Sequence, residues 1–317
     1  MTVAPRIVTV SLNAAIDQTI GTADFAVGEV NRVAWEQSDA GGKGVNVASF
    51  LAGFGYPVAV TGLLGADNTD LFVRLFAEKG LTDRFVRIPG RTRVNLKIVD
   101  EKRQLVTEIN FPGVASRPGD LSTVTAAVEE LVRQDAEWFA LCGSLPAGLP
   151  ATSYRDLTLL LKSRGRKVVL DTSGVGLAHA IAAGPDIIKP NIEELTELAG
   201  RPLDGEAAIV EAARALRQHG IALVAVSMGA RGAIFVDGQT AVHAAPPPVA
   251  VKSTVGAGDA MVAGIVHAAI HELSLEDTAR LATAFAIGAL GEIGPRLPPR
   301  KEIEAQQAGV MTRWIAT

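Results

Sequence analysis

The stretch STVGAGDAMVAGIVHAAIHEL, Ser253 to Leu273, runs from a glycine turn into an apolar segment. Beyond Asp259, the residues Val262, Ile265, Val266, Ala269, Ile270 and Leu273 recur at the spacing of one apolar helix face. Gly256, Ala257 and Gly258 then stand at the start of that helix, where the first N–H groups lack intrahelical acceptors and the helix dipole is positive. Such an end stabilises charge that develops on a transferring phosphoryl group. Asp259 beside it has two readings: a base that takes a proton from an attacking hydroxyl, or an N-cap, a position that Asp favours.

Around this segment, short β-branched runs alternate with helical stretches: RIVTVSL, YPVAVTGLL, AEWFALCG, RKVVLDTS, DIIKPN and IALVAVSMG. Continuously apolar strands separated by helices predict an α/β fold with a mainly parallel sheet covered on both faces. From Arg93 to Phe111 the period changes to two, with Val94, Leu96 and Ile98, then Leu105, Ile109 and Phe111, on either side of a charged turn. That is the pattern of a half-exposed antiparallel hairpin. Together with residues 18–33, the hairpin 93–111 is expected to form a small β lid over the main sheet. No repeat, low-complexity tract or linker divides residues 1–317, so a single domain is expected.

The segment DAGGKGVNVASF, Asp39 to Phe50, again places glycines before a helix-compatible run, with Gly42 and Lys43 at the junction. Glycines there let a backbone approach an anion, and Lys43 adds a point charge; a plain turn before a surface helix is the other reading. In KPNIEEL, Asn191 and Glu194 stand three residues apart just after a strand. They can orient waters around Mg2+, or form a capping box. Gly229 and Gly232 in SMGARGA admit a close nucleotide or simply turn a hairpin. Arg91 and Arg93 in GRTRVNLKI offer cations for a phosphate, and Arg93 heads the lid hairpin, where an arginine is also commonly solvated. Asp17 and Asp171 follow strands, where open α/β sheets bind ligands; either can accept sugar hydroxyls or cap a loop.

The bulk sequence excludes several classes. A net charge of −4 without any run of Lys or Arg argues against nucleic-acid or membrane-surface binding. The one cysteine, Cys142, cannot make an internal disulfide and reads as a small core residue, and the first residues lack a secretory pattern, so a cytoplasmic location is expected. The charge-free run from Ala48 to Ala66 is interrupted by Gly53, Gly55, Pro57, Gly62 and Gly65, unlike a membrane span. GAGDAM has Met261 where a dinucleotide fingerprint needs glycine, and GSLPAGLP lacks the Lys-Ser/Thr ending of a P-loop. The five histidines are scattered, none at the spacing of a zinc site.

Taken together, GGKGVNVA, GSLPAG, KPNIEEL, SMGARGA and STVGAGDAMVAG occur in the order shown by the ribokinase-like PfkB sugar kinases, and the chain resembles that family from VSLNAAID to the helix after Asp259. The resemblance implies a three-layer α/β sandwich with a β lid, ATP and Mg2+ as cofactors, and transfer of the γ-phosphoryl group to a sugar hydroxyl. It implies that Asp259 is the base, with Gly256, Ala257 and Gly258 at the phosphoryl group. By position, the nucleotide would lie along Lys189, Asn191, Glu194, Ser227, Gly229, Gly232 and Gly258, with Asn191 and Glu194 reaching Mg2+ through water. The sugar would meet Asp17, Gly42, Lys43, Asn46, Arg93 and Ser144.

Within the family, GGKGVNVA with GRTRVNLKI is most similar to the branch of 1-phosphofructokinases and tagatose-6-phosphate kinases, because Lys43 and Arg93 suit a substrate that already bears a phosphate. The lid segment favours fructose 1-phosphate. Tagatose 6-phosphate and fructose 6-phosphate are alternatives, and so, in a different class, is a sugar-phosphate-binding regulator without catalysis. Ala14 stands where the branch often has proline, Ala260 where serine is frequent, and ALGEIGPRLP lacks an asparagine often seen near the adenine, which leaves the adenine contacts unassigned. A homodimer through the lid is expected, since a small sheet leaves open edges and an apolar face that need cover.

Overall fold

The computed structural model describes residues 4–103, 105–238, 240–249 and 251–316. The chain opens with β1 (Ile7–Ser11), then β2 (Ala15–Thr22) and β3 (Trp35–Gly41) before the first helix, α1 (Lys43–Gly53). β4 (Val58–Gly65), α2 (Asp70–Lys79) and β5 (Thr82–Ile88) follow, and then the hairpin β6 (Arg93–Asp100) and β7 (Leu105–Ile109). Next come α3 (Pro118–Arg133), β8 (Trp138–Cys142), α4 (Ser153–Ser163), β9 (Lys167–Asp171), α5 (Gly174–Ile181) and the short β10 (Ile187–Ile188). Helices α6 (Ile192–Ala199) and α7 (Gly205–Arg217) lead to β11 (Leu223–Ser227), β12 (Ala233–Asp237) and β13 (Thr240–Ala245). α8 (Ala257–Ile270), α9 (Leu275–Leu290), α10 (Arg300–Gly309) and β14 (Met311–Trp314) come last.

Ten strands form one sheet in the order β14-β13-β12-β11-β10-β9-β8-β1-β4-β5. From β11 to β5 every pairing is parallel, and β12, β13 and β14 add an antiparallel edge. The alternation of side chains divides the core in two. Ile7, Val58 and Val60 point to a cluster shared with α1, α8 and α9, whereas Val8, Val10 and Ala59 join one built with α3, α4, α5 and α7. Both faces of the central strands are therefore apolar, as their unbroken hydrophobic runs require. The result is the three-layer α/β architecture with a mainly parallel sheet. No described helix is long and apolar enough to cross a membrane.

A second, four-stranded mixed sheet has the order β3-β2-β6-β7, with β2 and β6 parallel. Its first two strands bracket the stretch 23–34, so one of its four strands, β3, lies beyond the 18–33 segment expected to join the lid. The polarity also differs from the half-buried apolar face expected of a hairpin. On β6 the buried residues include Asn95, Lys97 and Asp100 beside Ile98, while all of β7 is exposed. Polar side chains line one face of this sheet because they pair with one another across β2 and β6.

The helix after the glycine turn departs from expectation in two ways. Gly256 is its N-cap, and Asp259 is the third residue inside it with no capping hydrogen bond from its side chain. Every residue from Asp259 to Ala268 is buried, since α8 is packed between α1 and α9 and has no solvent face. Leu273 lies beyond the helix end and is partly exposed.

Candidate active site

Two helix N-termini converge where the carboxyl end of β9 meets them. Asn46, in the first turn of α1, donates from Nδ2 to Oδ2 of Asp259 in the first turn of α8, at 2.7 Å. Burial, with the negative charge of Asp171 added, pushes the Asp259 carboxyl up to about 6. Asp171, the last residue of β9, is fully buried and its Oδ1 receives two ammonium groups, Lys43 at 3.1 Å and Lys189 at 3.3 Å. Burial works against the charge of Asp171, but the two lysines overcome it and hold the carboxyl below its usual value. Burial likewise opposes the charge of Lys43, and the carboxylates of Asp171 and Asp259 outweigh it, so Lys43 stays charged. The reading as a plain turn before a surface helix does not hold, since α1 is buried from Gly44 to Leu51 and Lys43 pairs with the buried Asp171. Lys189 also borders the α8 turn: a Cβ on Gly258 would stand 3.6 Å from its Nζ.

The small sheet supplies a second group. Asp17 on β2 pairs with Lys97 at 3.0 Å and accepts from Asn95 at 3.3 Å, both on β6. Arg93 is half-buried and engaged by the backbone. Its guanidinium donates to the carbonyls of Phe111 (2.8 Å), Asn13 (2.9 Å) and Ala14 (3.4 Å), which leaves two of its five N–H groups free for another partner. Asn13 donates to Ser144 Oγ at 3.1 Å and to the Pro112 carbonyl at 3.2 Å. Gly42 links the two groups. It caps α1 with φ 98°, and a Cβ there would meet Ala14 Cα at 2.9 Å, so only glycine lets this turn lie on the start of β2.

Asn191 and Glu194 form a complete capping box at the start of α6: Glu194 N donates to Asn191 Oδ1 (2.7 Å) and Asn191 N to Glu194 Oε2 (2.9 Å). Asn191 bridges to Ser227, whose N–H donates to the Pro190 carbonyl at 3.0 Å. The hairpin reading of SMGARGA also holds, with β11 and β12 antiparallel around a short helical turn. At Gly232 a Cβ would stand 2.0 Å from the Ala244 carbonyl oxygen, so glycine is demanded there by strand packing. Gly229 has open space beside it.

Of the residues singled out from sequence, Lys43, Asn46, Lys189, Gly258 and Asp259 gather in one cluster, and Asp17, Arg93 and Ser144 belong to the neighbouring one. Lys97, Asn95 and Asn13 are not singled out there. The signal was present in RVNLKIVD, whose period of two puts Asn95 and Lys97 on the same side as Arg93.

A carboxylate at one helix N-terminus, beside a second carboxylate that holds two lysines outside the carboxyl ends of an open α/β sheet and neighboured by a small β sheet, is an arrangement suited to a phosphoryl-transferring kinase. The description "pfkB family carbohydrate kinase" fits residues 10–302, and the chain belongs to that family. It is 57% identical over 300 residues to a 1-phosphofructokinase of Rhodobacter capsulatus, covering 95% of each chain. It is 39% identical over 311 residues to the 1-phosphofructokinase of Escherichia coli K12, covering 96% of this chain and 97% of the relative. Among solved structures, phosphofructokinase-2 from Escherichia coli in complex with substrates and products superposes with a TM-score of 0.89 at 28% identity, over 96% of this chain and 98% of that one.

Proposed function

We propose that the chain transfers the γ-phosphoryl group of ATP to fructose 1-phosphate, giving fructose 1,6-bisphosphate and ADP. The observation that carries the substrate is the 57% identity to a 1-phosphofructokinase along 95% of the chain. In the reaction, Asp259 takes the proton of the attacking sugar hydroxyl as the new O–P bond forms and the bond to the β-phosphate breaks. Its raised carboxyl, ionised above about pH 6, is suited to accept that proton. The N–H groups around Gly256, Ala257 and Gly258, at the positive end of α8, stabilise the charge on the moving phosphoryl group.

Asp17, Gly42 and Asn46 receive the sugar hydroxyls, and Asn46 Oδ1, buried without a partner, is an acceptor awaiting one. Lys43, whose side chain is 37% exposed, takes the substrate's existing phosphate with the two free N–H groups of Arg93, and Ser144 lies alongside. The nucleotide runs along Lys189, Asn191, Glu194, Ser227, Gly229, Gly232 and Gly258. The donor set suits Mg2+ held through water: the capping box uses Asn191 Oδ1 and Glu194 Oε2, while Glu194 Oε1 has no described partner. Held there with ATP, Mg2+ would supply positive charge to the phosphates.

An ADP-release assay tests the reading, with fructose 1-phosphate, fructose 6-phosphate, tagatose 6-phosphate and fructose offered in turn. Fructose 1-phosphate is expected to give the highest kcat/KM. A preference for either 6-phosphate moves the substrate, a preference for fructose removes the phosphate-binding role of Lys43 and Arg93, and binding without turnover makes the chain a regulator.

The lid is also proposed to join two copies. Leu105, Val106, Ile109 and Phe111 are exposed on and beside β7, as are Val27 and Val30 between β2 and β3, which supports an interface there. Sedimentation at micromolar concentration is expected to show a dimer, and monomer alone would count against it. A single buried cysteine, Cys142, supports a cytoplasmic setting.

A further inference from the structure

The polar face of the small sheet holds a buried charge that the proposed chemistry does not use. Lys97 is 5% exposed, and Asp17 is its one charged partner among the described residues. In register Asp17 stands beside Asn95 and Thr19 beside Lys97, so the lysine reaches diagonally back to Asp17 Oδ2 while Asn95 takes Oδ1. On the other flank Asp39 of β3 lies directly opposite Asp17, and Arg296 already engages it at 2.7 Å. Like charges opposite one another on neighbouring strands repel, and Lys97 is what balances Asp17.

A brace between strands would not need this pair. Burying a lysine and a carboxylate costs each its hydration, and apolar residues of similar volume would hold β2 to β6 at least as well. What the pair does give is a carboxylate with a fixed direction. Two donors from one strand hold both oxygens, and Gly41 leaves room beside Oδ2, where a Cβ would stand 2.8 Å away. Asn95 extends the hold to the phosphate end: its Oδ1 accepts from Phe111 N at 3.2 Å, and the Phe111 carbonyl accepts from Arg93. Alternate residues of β6 therefore set the hydroxyl acceptor and the phosphate grip at a fixed spacing.

We propose that Lys97 is a positioning residue for the sugar: it holds Asp17 charged and aimed to accept the sugar's hydroxyls, without touching the sugar itself. This role rests on the kinase reading, in which Asp17 receives those hydroxyls. The test is steady-state kinetics of the wild type, Lys97→Met, Asp17→Asn and the double variant, with the best of the four sugars varied at saturating ATP. Lys97→Met is expected to raise the sugar KM about tenfold or more, with kcat and the KM for ATP within about twofold of the wild type. In the Asp17→Asn background the same substitution is expected to change the sugar KM less than about threefold, because no carboxylate is left to aim. The double variant is also expected to melt no lower than Asp17→Asn, whose lysine is buried without its partner. Should Lys97→Met fail to fold, Lys97→Gln, which keeps a donor without the charge, takes its place with the same expected outcome. An unchanged sugar KM would overturn the proposal. So would an equal loss in both backgrounds, the mark of packing or of direct contact with the sugar. If the wild type binds without turnover, the kinase reading fails, and calorimetric affinities for the sugar phosphates put the same comparison to Lys97. No sugar binding at all would overturn both.

Discussion

Two lysine–carboxylate groups flank the proposed substrate region, and they are built differently. Asp171 ends a central strand of the ten-stranded sheet and holds two lysines, Lys43 from the start of α1 and Lys189 after β10, with core on both faces behind it. Asp17 and Lys97 sit on adjacent strands of a four-stranded sheet whose outer strand, β7, is exposed along its length. The distances are alike, 3.1 and 3.0 Å, but the surroundings are not. Charges buried against a large core have fixed positions and can set the ionisation of a neighbouring group. A pair on a thin sheet can move with that sheet, because few buried contacts resist local displacement. On the proposed reading the base and the charges that tune it belong to the core side, and the lid adds grip through Arg93 and Asp17.

The strongest way to break this division is Asp259→Asn. Its turnover is expected to fall about 10²–10⁴-fold, the size of a lost general base. Stability gives the control. Burial raises Asp259 in the fold from 3.8 to about 6, so the stability it contributes is present below pH 3.8 and lost as pH rises through about 6. Asparagine does not suffer that loss. The variant is therefore expected to melt at least as high as the wild type at pH 8, with the advantage gone at pH 4. Near-wild-type turnover in a folded variant would leave Asp259 without its role as base.

A tenfold to hundredfold loss in kcat/KM is expected for both Lys43→Ala and Arg93→Ala, as each would remove a proposed charge-assisted contact to the substrate phosphate. The two differ in where the loss falls. Arg93, proposed to grip the substrate's existing phosphate in the ground and transition states alike, is expected on removal to raise KM with little change in kcat. Lys43 also favours the ionised form of Asp259, so its removal is expected to add a fall in kcat below neutral pH. Steady-state kinetics with fructose 1-phosphate and ATP varied in turn separate these outcomes. An unchanged sugar-phosphate KM in both variants would sink the phosphate assignment, and identical profiles would erase the distinction between core and lid.

The fold was readable because its central strands are buried on both faces and so carry unbroken apolar runs that mark them individually. The lid hairpin was readable from its period, but β3 was not: WEQSDAG mixes charged and small residues with one tryptophan and lacks an apolar alternation. The network around Asp171 was invisible for another reason. Lys43, Asp171 and Lys189 are far apart in sequence: the parallel neighbours β9 and β10 bring Asp171 and Lys189 together, and the packing of α1 on the sheet brings Lys43, without leaving a spacing to read. Asp259 was misread as a possible cap because cap and first-turn residues share a composition; the left-handed Gly256 moves the helix start back and leaves the carboxylate free for Asn46.

The smallest effect is the most selective. The acid limb of kcat/KM is expected near pH 6, where Asp259 ionises. Asp171 helps to raise that value, whereas Lys43 and Lys189 lower it. Asp171→Asn removes the negative charge and releases both ammonium groups toward Asp259, so the limb moves to lower pH. At pH 8 Asp259 is already ionised, and the rate there is expected to change less than about twofold from this cause. Wild-type Asp171 contributes stability above its unfolded value, lost only as pH falls through a folded value lower still, so the wild type holds its fold across an assay from pH 5 to 8. Asp17→Asn supplies the contrast: it disturbs the Lys97 pair in the lid and raises KM for the sugar phosphate, while the limb stays in place. A limb that ignores Asp171→Asn, or one that follows Asp17→Asn equally, would mean that charge buried in the core has no closer hold on the base than charge in the lid.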